Sequence, residues 1–153
     1  MIPYVGNQGK RTLDELLEEA SARIERLEPR VALEAVRSGA LLVDIRSDVD
    51  RERDGIVPGS LHIPRTVLEW RLDPDSEWRN PHVGGLDQPI TLICDHGCSS
   101  QLAAATLADL GFTCVGDVIG GFAAWREAGL PTTNPRLRRG GCDCLPGMGP
   151  PDP

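Results

Sequence analysis

The stretch PITLICDHGCSSQLAAATLADLGF, Pro89 to Phe112, decides the fold. An apolar run (Ile90, Leu92, Ile93) ends in Cys94, and the residues after it, Asp95, His96, Gly97, Cys98, Ser99 and Ser100, are loop formers. An Ala- and Leu-rich helical pattern then begins. The order predicts strand, tight loop and helix, with a cysteine at the tip of the strand. In an α/β sheet, ligands bind at the carboxyl ends of the strands. A helix amino terminus placed there offers unpaired backbone N–H groups and the positive end of a dipole, and both favour an anion. A thiol held there is shifted toward thiolate, the nucleophilic form. The competing reading makes Cys94 a small apolar residue closing a buried strand. The polar loop that follows weighs against it.

Working outward, 153 residues suffice for one domain with a single core, and 40% hydrophobic and 25% charged residues are ordinary for a globular chain. A net charge of −7 argues against a nucleic-acid surface, and the one basic cluster is the short Arg136, Arg138, Arg139 group. No apolar run approaches the roughly 20 residues of a membrane span. The opening MIPYVGNQGKR lacks the apolar stretch of a signal peptide, and five cysteines follow no framework spacing. The expectation is a cytoplasmic protein with reduced thiols and neither nucleic-acid nor membrane partners.

Residues 1–10 read as a loosely held arm. Thr12 with Glu15 forms a capping box, and Leu13, Leu16, Leu17, Ala20, Ile24 and Leu27 predict an amphipathic helix over about 12–27. Pro29 can start a second helix that ends at Gly39. The run ALLVDI (40–45) suits a strand buried on both faces. The charged RSDVDRERDG after it reads as a loop, Pro58-Gly59 as a turn and Leu61 to Ile63 as a short strand with a structural His62. Val67 to Leu72 predicts a short helix, and Thr113 to Val118 another strand, which would place Cys114 in the core. A last helix runs from Phe122 to Gly129, and from Thr132 the Pro, Gly and Arg content predicts a tail with little fixed structure. Strands alternate with helices, so the fold class is α/β with a mainly parallel sheet, and the loops after ALLVDI, ITLIC and CVGDV converge on one rim.

LVDIR (42–46), DGIVPGSLHIP (54–64), LICDHGCSS (92–100) and VIGGFAAWREAGLPT (118–132) together resemble, in order and spacing, the rhodanese-like domain family of sulfurtransferases. The resemblance covers roughly residues 28–133, leaving an arm and helix at 1–27 and a tail at 134–153. It implies a small, mainly parallel sheet flanked by helices on both faces, and a persulfide mechanism with Cys94 as nucleophile. The loop from Asp95 through His96, Gly97, Cys98, Ser99 and Ser100 would bind the substrate, with Asp44 and Arg46 supporting it. Gly120-Gly121 matches the family loop that approaches the active site. The implied partners are a small sulfur-containing donor and a thiol or protein acceptor, with no metal and no organic cofactor. The chain departs from the family at Ser99, where many members carry Arg, and at Asp95, whose carboxylate should repel thiosulfate. Cys98 is close enough in sequence to trap an oxidised Cys94, although a loop this tight disfavours disulfide geometry. Cys142 and Cys144 could relay sulfur or form half of a metal site. Two rival functions follow. A phosphatase needs an Arg where this chain has Ser100. A non-catalytic module for redox sensing or protein binding would use Cys94 and Cys98 as its responsive pair.

Overall fold

A computed structural model describes residues 9–135. Five strands, β1 (Glu25–Leu27), β2 (Leu41–Asp44), β3 (Leu61–His62), β4 (Ile90–Ile93) and β5 (Val115–Val118), form one sheet in the order β1-β5-β4-β2-β3. Every pair in it is parallel. The helices are α1 (Leu13–Ser21), α2 (Pro29–Arg37), α3 (Asp48–Asp54), α4 (Leu68–Leu72), α5 (Ser99–Asp109) and α6 (Gly121–Glu127), with a 3₁₀ turn at Arg65–Val67 before α4.

The apolar runs exist because the central strands are covered on both faces. Along β4, Ile90 and Leu92 pack with Leu68 of α4 and Ala103 and Leu107 of α5. Ile93, one residue out of phase, faces Ala32 of α2 and Phe122 and Trp125 of α6. β2 divides the same way, Val43 to the first cluster and Leu42 to the second. Each such side chain contributes about 1.5–3 kcal/mol by leaving water. The central position of β4 puts Cys94 at the middle of the carboxyl-end rim.

Four expectations are corrected. The helix predicted over 12–27 stops at Ser21, and Glu25–Leu27 is an edge strand paired with β5. Pro29 requires an extended residue before it, so Glu28 (ψ 149°) cannot continue a helix. The charged segment after β2 is helix α3, capped by the Ser47 hydroxyl accepting from the Asp50 N–H. Its acidic first turn and basic last turn suit the dipole. An apolar period is missing because its buried side chain is Arg51, ion-paired with Asp44. Cys114 is exposed, since the strand begins one residue later. The chain after Thr132 begins with an ordered contact, Thr133 bridging antiparallel to Ile56. From Arg136 on, the predicted tail, with Cys142 and Cys144, lies outside the described residues, as do residues 1–8 of the predicted arm.

Candidate active site

Cys94 lies where β4 hands over to the loop, and its side chain is 5% exposed, within the first core cluster. Its sulfur nevertheless has polar neighbours. The Gly97 N–H donates to Sγ at 3.1 Å, and the Ser100 hydroxyl oxygen lies 3.2 Å from it. Burial raises the Cys94 pKa; hydrogen bonds from the Ser100 side chain and backbone, the Ser99 side chain and the Gly97 backbone outweigh burial and lower it. Cys94 is therefore a buried residue whose sulfur accepts a backbone N–H and lies beside a hydroxyl.

The loop is curled by what grips its carbonyls. The first N–H groups of α6 are taken by the loop, Phe122 N–H donating to Cys94 O at 2.7 Å and Ala123 N–H to Asp95 O at 3.0 Å. The Gly97 carbonyl receives Gln101 Nε2 at 2.8 Å and Arg26 Nη2 at 3.0 Å. With the carbonyls drawn outward, the amide of Gly97 turns in toward sulfur. Such an arrangement demands close backbone approach. A Cβ on Gly121 would stand 2.4 Å from Cys94 O, and one on Gly97 would stand 2.5 Å from the Gly120 nitrogen. Both residues also have positive φ, +62° and +79°.

Asp44 and Arg46 stand beneath the loop as a buried pair. Arg46 donates through Nε to Oδ1 (3.0 Å) and through Nη2 to Oδ2 (2.8 Å), and Arg51 Nε reaches Oδ2 at 3.3 Å. The Arg46 guanidinium also covers the Phe122 ring, 3.9 Å from its centroid. Its Nη1 makes no hydrogen bond but lies 4.0 Å from Oδ1 of Asp95. The Asp95 carboxylate thus leans toward a cation. Burial and the neighbouring Asp50 raise its pKa, opposed by Arg46 and His96. Cys98 is the exposed residue at the start of α5, while Cys94 is buried. His62, as expected, is structural, its Nε2 2.8 Å from the Arg46 carbonyl.

Three participants escaped the sequence reading. Arg26 of β1 forms a bidentate pair with the fully buried Asp117 of β5, at 2.9 and 3.1 Å, and Asp117 accepts the Ser100 hydroxyl at 2.7 Å. Gln101, held by Ser21 of α1 at 2.7 Å, supports Gly97. A signal existed for one of them: a lone carboxylate inside the apolar strand VGDV needs a partner.

Comparison with known proteins agrees with this geometry. The family model "Rhodanese-like domain" matches residues 18–128. The thiosulfate sulfurtransferase GlpE of Pseudomonas savastanoi pv. phaseolicola is 35% identical over 103 residues, 67% of this chain and 87% of that protein. Its counterpart in Stutzerimonas stutzeri is 37% identical, over 67% and 85%. Among solved structures, a protein of unknown function from Rhodopseudomonas palustris, termed a possible tyrosine phosphatase, is 36% identical with a TM-score of 0.74, covering 85% of this chain and all of that one. The polysulfide-sulfur transferase homodimer of Wolinella succinogenes shares the fold at 24% identity, TM-score 0.63, over 76% and 83%. With a loop cradling a strand-end thiol and a family match across most of its length, this chain belongs to the rhodanese-like domain family.

Proposed function

We propose that Cys94 carries the sulfur in this protein's reaction, accepting it as a persulfide and passing it on. The reaction class follows from the family and from relatives named thiosulfate sulfurtransferase: the protein is a sulfurtransferase, and it requires a sulfur donor and an acceptor. The observation that supports Cys94 is its sulfur, buried at the strand end yet held by the Gly97 N–H at 3.1 Å. In the first half-reaction the thiolate attacks the outer sulfur of the donor. A Cys94–S bond forms, the donor's S–S bond breaks, and its electron pair leaves with the departing group, sulfite if thiosulfate is the donor. In the second, an acceptor thiol or other thiophile attacks the outer sulfur and the Cys94 thiolate is released. Amide and hydroxyl donors of residues 95–100 stabilise the anionic sulfur through both halves.

Asp95 at the mouth disfavours a dianion, so thiosulfate is a weak donor and a persulfide or polysulfide a better one. Asp44 and Arg46 hold the loop in place. A reducing, cytoplasmic setting would keep the cysteines free. Phosphoryl transfer fits poorly, because Ser100 stands where a phosphatase loop needs its Arg. The nearby guanidiniums of Arg26 and Arg46 are committed to Asp117 and Asp44.

The test is mass spectrometry of the intact protein after brief exposure to thiosulfate or a small persulfide. The expected result is a gain of about 32 Da, absent in Cys94→Ser and discharged by cyanide. Loss of two hydrogens on oxidation, dependent on both Cys94 and Cys98, with no donor ever loading sulfur, would replace the enzyme with a redox-responsive module.

A further inference from the structure

The Ser100 hydroxyl has one hydrogen and two neighbours that can use it. Its oxygen lies 2.7 Å from Oδ2 of Asp117 and 3.2 Å from Sγ of Cys94. A carboxylate has no hydrogen to offer. The short contact therefore assigns the hydroxyl hydrogen to Asp117 and leaves an oxygen lone pair facing sulfur. That geometry suits a thiol, whose S–H can donate to Ser100. With the hydrogen on Asp117 a thiolate would face a lone pair, so the Ser100 bond that favours the thiolate forms only once that hydrogen turns to sulfur.

We infer, building on the assignment of Cys94 as nucleophile, that Asp117 is a positioning residue which holds the Ser100 hydrogen away from the resting thiol and yields it when the thiolate forms. As the S–H bond breaks, its proton goes to a solvent base and the Ser100 hydrogen rotates from Oδ2 to Sγ. Nothing is oxidised or reduced. Once the persulfide exists, the negative charge has moved to the outer sulfur, and the hydrogen can return to Asp117. Among the described residues, the other charged or titratable groups around the thiol are Arg26 on β1, Arg46 with its partner Asp44 beneath the loop, and Asp95, His96 and Cys98 on the loop. Arg26 matters most here. Its bidentate bond compensates the Asp117 charge, so the carboxylate acts on the sulfur mainly through the shared hydrogen rather than as a bare negative charge.

Asp117→Asn separates these possibilities. The two guanidinium donors of Arg26 claim the single remaining oxygen, which turns the amide NH₂ toward Ser100 and frees the hydroxyl hydrogen for sulfur. The pH-dependence of iodoacetamide alkylation, followed at the Cys94 peptide by mass spectrometry in the full-length chain, reads the result. The midpoint should move to lower pH by about one unit, roughly tenfold more thiolate at neutral pH. In the Ser100→Ala background most of that shift should vanish, while Ser100→Thr should retain it. A shift to higher pH, no shift, or one equally large with Ser100→Ala would overturn the inference. If Asp117→Asn does not fold, infrared difference spectra of the unmodified protein across the Cys94 titration serve instead, with Cys94→Ser as reference. Loss of the S–H band with a shifted carboxylate band is expected. An unmoved carboxylate band, or a new protonated carboxyl band, would overturn it. Neither measurement involves a sulfur donor, so failure to load sulfur would sink the functional reading without touching these results.

Discussion

Replacing Gly121 by alanine tests whether close backbone approach shapes the active loop. Gly121 opens α6 at φ +62°, where a side chain is strained by about 1–3 kcal/mol. The added Cβ would also meet Cys94 O at 2.4 Å, Asp95 C at 2.7 Å and Gly97 N at 2.7 Å. All three are backbone atoms that cannot rotate aside, and forced overpacking of this kind costs about 1–3 kcal/mol. The sum, about 2–6 kcal/mol, corresponds to a fall in Tm of roughly 5–20 °C for a chain of this size. Relief can come only from moving α6 off the loop. That movement strains the Phe122 N–H to Cys94 O bond and carries the Gly97 amide away from sulfur. Sulfur loading should therefore fall even at temperatures where the variant remains folded. Gly59→Ala is the control, with φ +80° but open space around its Cβ. It should show the strain alone, about 1–3 kcal/mol, and load sulfur normally. Urea denaturation and persulfide mass spectrometry of the pair decide the matter. Equal losses of stability, with wild-type loading in both, would refute the argument.

Three further outcomes are expected. Asp44→Ala leaves the buried Arg46 without its carboxylate partner and removes a bond to Arg51, so it should cost about 3–5 kcal/mol in urea unfolding; a loss under about 1 kcal/mol would show the pair to be dispensable. Asp95→Asn should speed loading from thiosulfate, by up to about fivefold at low salt and less at high salt, with little effect on a neutral donor; equal effects on both donors would rule out charge as the cause. The lowered pKa of Cys94 means that the folded protein binds fewer protons than the unfolded chain between the folded midpoint and the ordinary thiol value. Stability should rise with pH across that window and lose the increment as pH falls through the folded midpoint. Cys94→Ala should flatten this part of the profile; an unchanged profile would assign the dependence to other groups.

What could be read from the sequence was whatever lies in consecutive residues. The run from Pro89 to Phe112 specifies strand, loop and helix because hydrophobic period, loop formers and helix formers follow one another without a break, and Cys94 sits at the join. The parallel sheet follows from the alternation of such units. Gly120-Gly121 was legible as a close approach through the family resemblance, and in the structure a Cβ at either would stand within 2.5 Å of a neighbouring atom. The charged elements were harder. In α3 the buried position is filled by Arg51 rather than an apolar side chain, so its helical period cannot be seen in hydrophobicity. At Glu25–Leu27, Ile24 and Leu27 satisfy a helical spacing equally well, and only pairing with β5 selects the strand.

The sequence by itself thus determined the central strand, loop and helix, the family and the thiol at the strand end. The tertiary structure alone decided what surrounds that thiol. Arg26, Asp117 and Ser100 lie in three different elements, separated by up to 91 positions in the chain. They meet because β1 pairs with β5 and α5 packs against β5. A buried carboxylate must find a cation and donors wherever the fold brings them, and that choice is made by packing, not by neighbours along the chain.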